Sequence, residues 1–135
     1  MSPEIPDSVE CLKSTWHGCN GLKTAPSKLP KNAKDMEYAF CSCVSIESAP
    51  AIPSGVTNLF GAFSGCAKLK KAPTIPSKVL NMACLFYDCA TLSGAIEINA
   101  NPIHYVECFY LVPNEITITG TTTIKDKLLA TQTFR

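Results

Sequence analysis

Eight cysteines and two histidines are the side chains of this 135-residue chain best suited to nucleophilic, redox or metal chemistry. Cys41-Ser42-Cys43 places two thiols one residue apart, and Cys19 lies close to His17. A structural zinc site needs four ligands in tetrahedral array, and neither cluster has two further ligands nearby. Cys11 and His17 could in principle act as nucleophile and base. They fall on different turns of one segment, and nothing beside them marks an oxyanion site. The chain has no Gly-rich phosphate loop, no His-Glu metal pattern and no Gly-x-Ser-x-Gly elbow. The reading is therefore a non-enzyme that requires no metal or other cofactor.

Most of these cysteines belong to a larger pattern. An aromatic recurs at Trp16, Phe40, Phe63, Phe86 and Phe109, at a nearly constant interval. Three residues after the first four of them comes a cysteine: Cys19, Cys43, Cys66 and Cys89, with Val112 at the fifth place. Leu22, Ile46, Leu69 and Leu92 follow three residues later. Ile5-Pro6, Leu29-Pro30, Ile52-Pro53 and Ile75-Pro76 recur in the same register, and Ile98 continues it without proline. Periods of this length point to stacked repeats, in which equivalent residues meet as ladders and make a continuous core. The ladder cysteines are then expected as reduced, buried thiols packing as small hydrophobes. Cys11, Cys41, Cys84 and Cys108 occupy other registers, with no pairing logic among them.

Within one repeat, Leu69 to Ile75 is expected to form a short strand, limited by Pro73 and Pro76, which lack an amide proton. Val79, Met82 and Phe86, spaced by three and four, predict a helical turn, with Ser77 as its N-cap and Ser54 in the same role one repeat earlier. The fold class expected is α/β: a leucine-rich-repeat solenoid of about four to five turns of about 23 residues, with parallel strands on one face and helical turns on the other. Residues 1–135 form one domain in this reading, with repeats over 3–96 and a degenerate repeat plus C-terminal cap over 97–135. Ile96-Glu97-Ile98 alternates like a strand. Ile116 to Gly120 reads as a second strand, and Ile124 to Gln132 as a helix begun by Thr122-Thr123, with Ile124, Leu128 and Leu129 on one side.

The order Leu-x-x-Ala-Pro-x-Ile-Pro-x-x-Val-x-x-Met-x-x-x-Phe-x-x-Cys-x-x-Leu, clearest over Ile52 to Leu92, resembles the BspA-like, or Treponema-type, leucine-rich repeats. The resemblance covers residues 3 to about 112. The family's Ile-x-Ile-Pro is here Ala-Pro-x-Ile-Pro, one residue longer. The resemblance implies protein recognition or adhesion by a bacterial or phage protein and supplies no catalytic residue.

Composition agrees with a packed domain: 46% of residues are hydrophobic and 17% charged. The net charge of +1 argues against general nucleic-acid binding. No apolar run is long enough to span a membrane. Residues 1–10 carry three acids and no apolar stretch of the signal-peptide kind. The expectation is therefore a cytoplasmic chain, or a cell-surface one if it belongs to a longer exported protein. Ile5 and Val9 would lie near an open end, which leaves room for pairing with a second copy.

The charge is uneven. Residues 23–78 carry +5, and the flanking parts −2 each. Lys23, Lys28, Lys70 and Lys71, with Glu47 among them, fall beside the expected strands. They are the candidate partner-binding residues, forming a basic strip for an acidic protein. The corresponding function is a non-catalytic protein-protein interaction module, an intracellular inhibitor or adaptor. Its alternative is a fragment of a surface adhesin, with nucleic-acid binding behind both. Tyr38, Phe60 and Tyr87 lie outside the ladders and suit either an interface or gap-filling.

Overall fold

The computed structural model describes residues 5–132. Among them the regular elements are few: strand β1 (Gly94–Glu97), strand β2 (Ile116–Thr119) and helix α1 (Lys125–Leu129). The two strands pair in parallel, Gly94 opposite Ile116 and Glu97 opposite Thr119. This overturns the expected α/β leucine-rich-repeat solenoid. No strand runs from Leu69 to Ile75, and no helix follows Ser77 or Ser54.

The missing strands have a cause in the prolines. Lys71 and Ile75 each make one isolated parallel bridge, to Ser48 and Ile98. Between them Pro73 offers no N–H, and Pro76 stops the pairing beyond. Ala49-Pro50 and Ile52-Pro53 interrupt the neighbouring stretch in the same way. Where these prolines are absent, over Gly94–Glu97 and Ile116–Thr119, β1 and β2 form.

The missing helical turns have a different cause. Ser14, Tyr38, Gly61, Cys84 and Glu107 all have φ between 53° and 59°. Four residues further on, Gly18, Ser42, Gly65, Asp88 and Leu111 have φ between 58° and 73°. A left-handed residue breaks the right-handed run that a helix needs. The backbone instead alternates between two kinds of bond. Leu59, Gly61, Phe63 and Gly65 donate their N–H across to the carbonyls of Asn81, Ala83, Leu85 and Tyr87, at 2.7–3.0 Å. Of the amides between them, Ala62 and Ser64 turn back three residues, to Leu59 and Gly61 at 3.1 Å each, while Phe60 donates to the Asn58 side-chain oxygen at 2.9 Å. Leu12 to Gly18, Met36 to Ser42 and Met82 to Asp88 follow the same scheme, each with partners at the equivalent places of the next segment.

Side chains at the same spacing make the core. The rings of Trp16, Phe40, Phe63, Phe86 and Phe109 stack in series, with centroids 4.6, 5.3, 6.0 and 5.7 Å apart and planes within 14°. Val56, Leu59, Leu69, Val79, Met82 and Leu92 pack into the same cluster. At the C-terminal side α1 is shorter than the expected helix over Ile124 to Gln132. Its Leu128 is fully buried, while Ile124 and Leu129 pack half-buried against the core.

Candidate functional site

Cys43, Cys66 and Cys89 are fully buried, and each donates its S–H to a backbone carbonyl: Trp16 at 2.9 Å, Phe40 at 3.1 Å and Phe63 at 3.1 Å. Cys19 begins the series half-buried. Burial pushes the Cys43 thiol up to about 11, that of Cys66 up to about 12, and that of Cys89 well above its ordinary value. Cys108, buried beside the Thr131 hydroxyl at 3.3 Å, is likewise pushed up to about 12 by burial. Groups so held are protonated at neutral pH and are poor nucleophiles and poor metal ligands.

The two sequence clusters do not assemble into sites. Cys43 points at the Trp16 carbonyl, while Cys41 lies 3.7 Å from the Ser42 hydroxyl. Exposed Cys11 bridges to Asp35, and exposed His17 lies over the Tyr38 ring at 6.3 Å. Among the described residues no three His, Cys, Asp or Glu side chains gather in a way that could hold a metal ion.

The five candidate partner-binding residues are all exposed, but the structure does not treat them alike. Lys70 Nζ pairs with the Glu47 carboxylate at 3.2 Å, so these two opposite charges largely cancel. Lys23 stands apart from the surface relief around Ile52, which Lys28 and Lys71 flank. A shallow groove of about 440 Å³ runs between Ser48, Lys71, Ala72 and Pro73 on one side of Ile52. A second, of about 230 Å³, runs between Lys28, Lys31 and Pro53 on the other. Ala51 and Ile52 line both grooves and form an apolar ridge between them.

The prolines shape this relief. Pro73 interrupts the pairing between the bridges at Lys71 and Ile75, and the first groove lies along that interruption. Sequence reasoning placed Lys28 and Lys71 in the charged strip but missed Lys31 as a wall. Its backbone N–H is held by the Asp7 carboxylate at 3.2 Å. The spacing Lys28-x-x-Lys31 across Pro30 was the available signal.

Tyr38 and Phe60, outside the aromatic series, pack against each other with tilted rings, centroids 5.1 Å apart, as do Tyr87 and Tyr110. Each fills space between adjacent segments on the outer side. Other ion pairs join segments at the surface: Lys13 with Glu37 at 3.1 Å, and Lys34 with Glu10 at 3.4 Å. The hydrogen bond from Lys13 holds the Glu37 carboxyl below its usual range, and the same bond raises Lys13.

No family profile, curated protein or solved structure matches this chain. The likeness to BspA-like repeats therefore rests on the sequence pattern alone. No helix among the described residues is long and apolar enough to cross a membrane.

Proposed function

We propose that this chain is a non-catalytic protein-binding module whose partner lies along the double groove over Ala51 and Ile52. The supporting observation is the combination of an apolar ridge, Ala51 and Ile52, with Lys28, Lys31 and Lys71 on the walls of the grooves beside it. Neither Lys28 nor Lys71 has a carboxylate within ion-pair distance among the described residues, in contrast to Lys70. A partner that supplies carboxylates at the walls and an apolar side chain at Ile52 completes both the charge and the burial. The protonated, buried thiols support the non-catalytic half of the reading.

The test is affinity capture with the wild-type chain and with a Lys28→Glu/Lys71→Glu variant, with and without nuclease. A protein retained through nuclease and lost by the variant supports the reading. Capture lost to nuclease replaces it with nucleic-acid recognition, and capture indifferent to the variant removes the groove from the account.

A further inference from the structure

A second surface lies at the other end of the backbone ladder. At each internal junction two amides, two residues apart, donate to two carbonyls of the following segment. Met36 and Tyr38 reach Asn58 and Phe60 at 2.9 and 2.9 Å. Leu59 and Gly61 reach Asn81 and Ala83 at 2.8 and 2.9 Å. Met82 and Cys84 reach His104 and Val106 at 2.8 and 2.9 Å. The next pair in this register is Tyr105 and Glu107, and neither N–H has an acceptor among the described residues.

Among the described residues the segment after α1 covers only part of the rest of this row, and the Leu111 N–H, like those of Tyr105 and Glu107, has no acceptor there. The Thr131 hydroxyl accepts the Phe109 N–H at 3.1 Å, and Gln132 Nε2 donates to the carbonyls of Val112 and Asn114 at 2.8 and 2.7 Å. Beside the open pair lies a cavity of about 620 Å³ lined by Ile103, Tyr105, Val106, Glu107, Tyr110 and Thr131. Ile103 is 69% exposed and Val106 63%, the two most exposed large apolar side chains described. Glu107 has no ion-pair partner among the described residues.

We propose that this slot binds one extended polypeptide segment of a partner protein. Two of its carbonyls, two residues apart, accept the Tyr105 and Glu107 amides. An apolar side chain fills the space over Ile103 and Val106, and a basic side chain faces Glu107. The fold itself shows what this row accepts, because every earlier pair in the register is taken by carbonyls at that spacing. Addition of a strand to an open backbone edge is a general mode of peptide recognition. Thr131 and Gln132 already occupy the layer beside Cys108 to Asn114, so a single segment fits where a whole folded edge of a second copy meets an obstacle. This surface is separate from the lysine-walled groove and stands or falls independently of it.

The test begins with a phage-displayed library of random nine-residue peptides, depleted on an Ile103→Lys/Val106→Lys variant and then selected on the wild-type chain. Both substitutions are at exposed positions, and slow exchange of the Leu85 amide in the variant verifies that its fold is retained. The expected survivors alternate apolar and other residues. At about ten times its Kd, a survivor slows hydrogen exchange of the Tyr105 and Glu107 amides about tenfold. The proposal is overturned if no peptide survives depletion, or if survivors leave both amides unprotected. It is also overturned, in favour of a second copy, if the free protein associates with concentration and protects the same two amides.

Discussion

Cys66 donates its thiol hydrogen to the carbonyl oxygen of Phe40 at 3.1 Å, a residue 26 positions earlier in the chain. The same carbonyl also accepts the Cys43 N–H at 3.1 Å. The buried cysteine thus does two things at once: it fills a small apolar space and ties its segment to the backbone of the one before. Replacing Cys66 with alanine removes both contributions. The expected loss is about 1–3 kcal/mol of unfolding free energy, read as a lower urea midpoint at unchanged slope.

Burial also makes stability depend on alkaline pH. Cys66 and Cys108 are pushed from the ordinary 9.0 up to about 12. Between these values the folded state holds protons that the unfolded chain has released, so stability falls as pH rises. The contribution is complete below pH 9.0 and is lost progressively toward about 12, at about 1.4 kcal/mol per pH unit for each thiol. Urea titrations at a series of alkaline pH values check this, and the Cys66→Ala variant should show the shallower slope.

Gly61 sits under the ring of Tyr38. A Cβ at position 61 would lie 2.5 Å from Tyr38 Cε1, on a backbone with φ +59°. Gly18 has a similar φ of +73° with nothing within 4 Å. Gly18→Ala should therefore cost about 1 kcal/mol, the conformational penalty alone. Gly61→Ala should cost about 1–2 kcal/mol more, and truncating Tyr38 to alanine in the same molecule should recover the added part. Equal losses at the two glycines would contradict the steric account.

The left-handed positions that lack glycine predict the opposite sign. Ser14 is exposed, with φ 56°. Its substitution by glycine should raise stability by about 0.5–1 kcal/mol, since the native conformation there disfavours a Cβ. Thermal unfolding at fixed pH is sufficient to detect it.

The contrast between Gly61 and Ser14 also explains what can and cannot be read from the sequence. The spacing of Phe40, Phe63 and Phe86 is plain, because like residues at a fixed interval need no knowledge of the backbone. The helical turn expected through Val79, Met82 and Phe86 fails because Cys84, a residue with no left-handed preference, takes positive φ, as does Asp88 just beyond it. The signal is one segment away, in Gly61 and Gly65 at the equivalent places. The strand expected from Leu69 to Ile75 fails because Pro73 and Pro76 reduce the pairing to isolated bridges at Lys71 and Ile75. β2 is legible because Ile116-Thr117-Ile118-Thr119 carries every amide it needs. Among the candidate binding residues, Lys28 and Lys71 are identifiable from charge alone. That Glu47 neutralises Lys70 is a matter of contact between successive segments, which composition does not encode.

The most direct test of the proposed binding surface is an equilibrium titration of the captured protein partner against the wild-type chain and the Lys28→Glu/Lys71→Glu variant at two salt concentrations. The expected result is at least about tenfold weaker binding by the variant at low salt, with the gap narrowing as salt screens the walls. Equal affinity at both salt concentrations, with the variant folded, would contradict it.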